Sequence, residues 1–334
     1  MEALMAFATI PFLGTATWLW LLFIGIVIAL LVFDLGVLHR DHHEIGVQES
    51  LLLSAGYISA GLLFGLLVWH WKGLDASLEY YTGFLIEKSL SMDNVFVMAM
   101  IFGYLAIPRR YQHEVLFWGI LGVIVLRALM IGLGAALIAE FHWILYLFGV
   151  FLLLTGLRML FSRVDDDQNM ENNRFVQFLR HRLRVTDRLH DGRFIVRQPN
   201  ASGRPVLWAT PLLLALILIE CADVVFAVDS VPAIFAITLD PFLVYTSNIF
   251  AVLGLRALYF ALAALIHRFA YLKYALALVL VFIGGKILLA SVIGKIPAPV
   301  SLGVTFGLLL GGVLFSLWKT RNQAALGESD KQLH

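Results

Sequence analysis

The sequence predicts an all-α, polytopic membrane protein of about nine transmembrane helices. Three observations predict it. Of the 334 residues, 60% are hydrophobic and 14% charged, whereas soluble domains run at roughly 45–50% and about 25%. Apolar stretches able to cross a hydrocarbon core about 30 Å thick recur along the whole chain. The basic residues between those stretches are distributed very unequally between the two faces of the membrane, as retention of Lys and Arg on the cytoplasmic side requires.

The spans follow in order. The first covers 17–38; the residues before it contain no Lys or Arg and no clear cleavage site, so it is expected to stay in the mature protein. The second to fifth cover 49–71, 79–105, 114–138 and 142–161. A loop at 163–205 carries nine arginines. In it Phe175, Phe178, Leu179 and Leu183 fall at helical spacing, which suits either a helix lying on the membrane surface or a solvated connector. The sixth to ninth spans cover 206–238, 243–266, 273–294 and 298–318. With the N-terminus outside and the C-terminus cytoplasmic, seventeen of the Lys and Arg residues lie inside, against only Lys72 and Lys295 outside. The nine spans form a single membrane domain over 1–334 and leave no room for a large soluble one.

Minor features exclude more than they suggest. Cys221 is the one cysteine, so neither an internal disulfide nor a multi-cysteine metal site is possible within one chain. A net charge of +1 gives no reason to expect nucleic acid. Asn200-Ala201-Ser202 matches a glycosylation sequon by chance if the loop is cytoplasmic. His39, His42 and His43 could bind metal by spacing, but three histidines in a charged loop suit solvent better, and Asp165-Asp166-Asp167 reads as a solvated turn.

The spans repeat. Leu126-Arg127-Ala128-Leu129 in the fourth recurs as Leu255-Arg256-Ala257-Leu258 in the seventh. Thr155-Gly156-Leu157-Arg158-Met159-Leu160 in the fifth aligns with Ile283-Gly284-Gly285-Lys286-Ile287-Leu288 in the eighth. Glu87, Asp93 and Asn94 of the third match Asp223, Asp229 and Ser230 of the sixth, each pair of acids six residues apart. An odd number of crossings separates spans three to five (79–161) from spans six to eight (206–294), so the two units are expected to have opposite topology. Inverted repeats of this kind place substrate near the midplane, at the repeat interface.

Charges occupy that place. An ionisable group at a helix centre costs ~2.5–3.5 kcal/mol on insertion scales, and Glu87, Lys88, Asp93, Arg127, Glu220, Asp223, Asp229, Arg256 and Lys286 all lie well inside spans. Against net stabilities of ~5–15 kcal/mol, such charges must be paired, hydrated or neutralised. Lys88, Arg127, Arg256 and Lys286 read as counter-charges, the guanidinium in particular holding carboxylates in bidentate geometry. The crowded acids need protons or a metal ion.

Glu87, Ser91 and Asn94 form one oxygen-bearing stripe, which Asp223 and Ser230 repeat; Ser89 and Asp93 form a second. Pro232 cannot donate to the carbonyl of Val228, so the sixth helix is expected to kink or unwind beside Asp229 and re-aim it. Carboxylate, amide, hydroxyl and carbonyl oxygens suit Mg, Ca or Mn. The expected metal site is therefore Glu87, Asp93, Asn94, Glu220, Asp223 and Asp229. Asp34 either extends an ion path past Ser91 and Ser230 or reaches the headgroups. No catalytic residue and no resident cofactor is expected.

The segments Glu87-Lys-Ser-Leu-Ser-Met-Asp93-Asn94-Val-Phe and Glu220-Cys-Ala-Asp223-Val-Val-Phe-Ala-Val-Asp229-Ser-Val-Pro232-Ala-Ile-Phe resemble the two signature segments of the TerC family, especially its Alx-like branch. The similarity runs from span one to span nine. It implies a bacterial inner-membrane exporter of manganese(II), with the family's acidic positions falling on Glu87, Asp93, Glu220, Asp223 and Asp229. Ala222 stands where the family often has Ser, and Cys221 follows Glu220, which puts ion preference in question. The reading is a Mn²⁺ exporter, with protons as a coupling ion and the bilayer as its surroundings. The alternatives are an exporter of another hard divalent cation such as Ca²⁺, or a membrane-protein insertion factor whose buried charges receive polar client segments. An intramembrane aspartyl protease lacks its Gly-x-Gly-Asp segment here.

Overall fold

A computed structural model describes residues 11–38, 47–141, 143–161, 174–186, 188–199, 205–262, 272–293 and 296–331. Eleven helices lie among them: α1 (Thr17–Leu38), α2 (Val47–Lys72), α3 (Leu74–Tyr104), α4 (Arg109–Glu140), α5 (Ile144–Phe161), α6 (Arg174–Arg182), α7 (Pro211–Phe235), α8 (Pro241–Leu253), α9 (Leu255–Leu262), α10 (Leu272–Ile293) and α11 (Ala298–Lys331). Two small antiparallel hairpins pair β1 (Pro11–Phe12) with β2 (Thr15–Ala16) and β3 (Ile195–Pro199) with β4 (Pro205–Ala209). The chain is thus an all-α polytopic membrane protein, with seven stretches long and apolar enough to cross a bilayer among the described residues. The other two expected spans are helical but weaker. The apolar run of α10 reaches only from Tyr274 to Ala290, and α3 carries Glu79, Glu87, Lys88 and Asp93. His39, His42, His43, Asp165–Asp167 and Asn200–Ser202 lie outside the described residues.

Lipid and protein divide the helix faces. Leu21, Leu22, Ile24, Ile28, Val32 and Phe33 of α1 are exposed, while Leu19, Trp20, Phe23 and Val27 pack with Phe64, Tyr80 and Phe242. The stretch Pro241–Ala261, formed by α8 and most of α9, is enclosed by the other helices almost everywhere. Reversal between α2 and α3 takes the single residue Gly73, at φ +91, a conformation in which a Cβ would be strained. Along the α2–α3 interface Ser77 Oγ donates to Gly65 O (2.9 Å) and Tyr80 Oη to Gly61 O (2.9 Å).

Close packing is extreme between α5 and α10. A Cβ on Gly156 would lie 2.7 Å from Ala277 O, and one on Gly284 2.7 Å from Gly149 O. Backbones approach this closely in membranes because dispersion and not water expulsion drives helix association there, favouring small residues. The remaining major pairings are α3 with α8, α4 with α7, and α3 with α7.

Two expectations need correction, and one left open is resolved. The sixth span begins at Pro211 and not at 206: Pro205–Ala209 is strand β4, in register with β3 (Ile195 opposite Ala209), and Thr210 bonds the backbone of Arg193 and Phe194 before Pro211 opens the helix. The seventh span is two helices, broken at Gly254, where a Cβ would meet Tyr57 Cβ at 2.9 Å. Between a membrane-surface helix and a solvated connector, the 163–205 loop is neither throughout its described residues, which hold α6 and strand β3. Within α6 Phe175 and Phe178 are exposed, but Val176 is buried, and Leu179 and Leu183 pack with it against Met98, Ile101 and Leu212.

Candidate ion site

Glu87 on α3 and Asp223 on α7 meet across the α3–α7 contact, and Arg127 of α4 lies between them. All three side chains are buried, Arg127 completely. The guanidinium engages Asp223 in bidentate fashion, Nη2 donating to Oδ1 (2.8 Å) and Nε to Oδ2 (3.2 Å). Its Nη1 donates to Glu87 Oε1 and to Asn248 Oδ1 (2.9 Å). Asn248 Nδ2 in turn donates to Glu87 Oε2 (3.2 Å), and Asn94 Nδ2 to Asp223 Oδ1 (3.3 Å). Planar guanidinium geometry explains the choice of Arg, since a Lys ammonium could not span two carboxylates and an amide.

Around this pair lie oxygens with no donor among the described residues. Glu220 sits one turn before Asp223 on α7, and both of its carboxylate oxygens are buried without a hydrogen bond. Asn94 Oδ1 is likewise unpartnered, and Ser230 Oγ lies beside Glu87 without a well-formed bond. Gly122 of α4 makes room for Glu220: a Cβ there would stand 2.5 Å from Glu220 Cδ and 2.7 Å from Oε2. Buried acceptors in hydrocarbon each cost on the order of 1–3 kcal/mol when unmet. Three carboxylates stand against a single guanidinium here among the described side chains.

The structure does not bring all the expected residues together. Asp229 stays on the far side of α7, where Thr155 of α5 bonds its side chain. Helix α7 runs unbroken from Pro211 to Phe235 with Pro232 inside it, so the expected unwinding beside Asp229 does not occur. Pro232 stands within the last turn, and Ala236 N closes that turn on Pro232 O (3.0 Å). Of Asp93 the structure describes the backbone, within α3, and not the side chain. Ser91 Oγ is spent on Glu87 O (2.7 Å). Among the described residues no three His, Cys, Asp or Glu side chains converge closely enough to hold a metal ion by themselves.

The other cations have their own partners. Arg256 of α9 pairs with Asp34 of α1, bonding its carboxylate and its carbonyl (3.2 Å), with Tyr57 bonded to the same carboxylate. Lys88 Nζ donates to Ala251 O (3.0 Å), and Lys286 Nζ to Ser301 Oγ (3.3 Å). Sequence reasoning missed Asn248. Its signal was a neutral amide, after Thr246 and Ser247, in a helix enclosed by protein.

The family model for the integral membrane protein TerC family matches residues 72–324, a stretch that contains every residue of this cluster. The chain belongs to the TerC family. An uncharacterized membrane protein of Myxococcus xanthus is 47% identical over 315 residues, covering 94% of this chain and 96% of that protein. An uncharacterized membrane protein of Rickettsia bellii is 47% identical over 298 residues, 89% and 96% of the two chains. The protein of Escherichia coli K12 named putative membrane-bound redox modulator Alx is 44% identical over 310 residues, 90% and 94%. No solved structure gives a significant match.

Proposed function

We propose that this TerC-family protein exports a hard divalent cation, Mn²⁺ first, from the cytoplasm of a bacterium through the Glu87–Asp223–Glu220 cluster. The observation that carries the reading is the set of buried oxygens without donors among the described residues, on Glu220, Asn94 and Ser230, around two carboxylates that share one guanidinium. Orphaned acceptors beside more carboxylates than guanidinium groups suit a cation, and an all-oxygen donor set favours Mn, Mg or Ca over zinc or copper. Burial between α3, α4 and α7 suits a transported ion better than a polar client segment, which would need a wider cleft.

Packing supports alternating access by two inverted units. Exchanging α3 with α7, α4 with α8–α9 and α5 with α10 turns the α3–α8 contact into the α7–α4 contact and returns α3–α7 and α5–α10 to themselves. Glu87 and Asp223 are equivalent under the same exchange. The basic 163–205 segment then faces the cytoplasm of an inner-membrane protein whose N-terminus is outside. Return of protons through the same carboxylates would couple export to the pH gradient, since metal binding needs them deprotonated.

The test is Mn²⁺ flux into proteoliposomes holding the purified protein, with Ca²⁺ for comparison and Asp223→Asn as the control. Protein-dependent Mn²⁺ flux that Asp223→Asn abolishes is the expected result. Absence of flux under either direction of metal and pH gradients would overturn the reading.

A further inference from the structure

The oxygens that a divalent cation would need are already in use. Glu87 Oε1 and Asp223 Oδ1, one from each half-unit, both accept from Arg127. The guanidinium sits between the two acids with all three of its nitrogens engaged. Meanwhile Glu220, Asn94 and Ser230 keep oxygens that the guanidinium does not reach. One side chain therefore occupies the middle of an incomplete cation cage.

We propose that Arg127 is a tethered competitor of the transported cation: guanidinium and divalent metal ion hold Glu87 and Asp223 in turn. This rests on the reading of the cluster as the transport site. With Glu87 Oε1 and both Asp223 oxygens already accepting from Arg127, a metal ion bound between the acids has to take oxygens from the guanidinium, and like charges repel strongly where water is excluded. Metal entry thus displaces Arg127, and Asn248, which already accepts from Nη1, is the group beside which the guanidinium can remain. Release is the reverse exchange, with Arg127 refilling the site and driving the cation out. In the empty protein the same guanidinium ties α3 to α7, so the two acids need not repel each other on the return step.

A structural counter-charge and a competitor differ in what their removal does to binding. Without a competitor the carboxylates bind metal more tightly and let it go more slowly. Without a merely structural partner they lose their geometry and bind less well. The experiment measures Mn²⁺ binding by calorimetry and Mn²⁺ flux in proteoliposomes for wild type, Arg127→Gln and Arg127→Lys. The pH is held well above the ordinary carboxylate range so that protons do not replace the guanidinium.

Arg127→Gln is expected to lower the Kd for Mn²⁺ at least tenfold while flux falls. Arg127→Lys, a point charge unable to span both acids, is expected to tighten binding by a smaller factor, and it decides the matter if the Gln variant does not fold. Wild type that binds Mn²⁺, with folded variants binding equally or more weakly, overturns the competitor and leaves the transport reading standing. Wild type with neither saturable binding nor flux overturns the transport reading, and the competitor falls with it.

Discussion

Replacing Gly122 by Ala changes no charge and no ligand, yet it acts directly on the cluster. The new Cβ would stand 2.5 Å from Glu220 Cδ, where ordinary contact begins near 3.4 Å. The carboxylate must therefore retreat from α4 by about 1 Å, on the difference between those distances. What must move is the end of a flexible side chain and not backbone, so the overpacking cost falls at or below the lower end of ~1–3 kcal/mol. Ala also gains up to ~1 kcal/mol over Gly within a helix, and the net stability change is expected to be close to zero. If Glu220 is a ligand as proposed, function should respond differently, because disturbing the surroundings of a metal ligand costs roughly tenfold or more in affinity. Thermal unfolding in detergent, followed by tryptophan fluorescence, and Mn²⁺ flux in proteoliposomes separate the two effects. Unchanged melting with flux down on the order of tenfold is the expected outcome. Gly119→Ala is the matched control, since its Cβ would meet Glu220 Oε1 at 3.9 Å, an ordinary contact. Full transport by Gly122→Ala would refute the placing of Glu220 in the transport site; parallel loss of melting temperature and flux would refute the claim that only the carboxylate moves.

Other perturbations read other parts of the fold. Gly156→Ala drives a Cβ against Ala277 O and Val281 N (2.7 and 2.9 Å), both backbone atoms, so α5 and α10 must separate; a loss of ~1–3 kcal/mol in detergent unfolding is expected. Asp34→Asn strands the buried Arg256 guanidinium and should cost ~3–5 kcal/mol, part of which Arg256→Gln in the same chain should restore, as a double-mutant cycle would record. Lys72 joins Asp240 and Thr15 near the surface, so Lys72→Ala should cost only ~1 kcal/mol or less, and less still in high salt. Val176→Asp should undock α6 from the helix ends without unfolding the bundle, seen as faster proteolysis between residues 174 and 209 at unchanged helical content.

The parts legible in the sequence are those that lipid makes expensive to hide. A span must be apolar over about 20 residues, which is why helices α1, α2, α4 and α5 stand where hydropathy places them. An ionisable group in a span must have a partner, and Glu87, Arg127 and Asp223, singled out on that ground, are in contact. Hydropathy failed where it could not separate periods: Val206, Leu207 and Trp208 are as apolar as a helix start but belong to β4. Asn248 escaped notice because an uncharged amide barely alters hydropathy, although it bonds both Glu87 and Arg127. Asp229 shows the limit of proline arguments. At 100° per residue it stands far around the helix from Asp223, and a proline in the last turn removes one bond without turning the preceding turns.

The two arginines at matching positions of the Leu-Arg-Ala-Leu segments are used in unlike ways, and the difference bears on how the protein works. Arg127 joins an acid of α3 to an acid of α7, whereas Arg256 turns to Asp34 of α1, outside the six spans of the sequence repeat. Their unmet groups are of opposite kind. Among the described residues, acceptors are orphaned around Arg127, on Glu220, Asn94 and Ser230, while Arg256 keeps buried Nε and Nη1 donors without partners. A cation can satisfy the first set and is repelled by the second. Were Arg256 also to face Glu87 and Asp223, two guanidinium groups would balance the two acids and leave little to attract a metal ion. By engaging Arg256, Asp34 leaves the cluster with more carboxylates than guanidinium groups among the described side chains. On the proposed transport reading, Asp34 would thereby give α1 a part in cation selectivity.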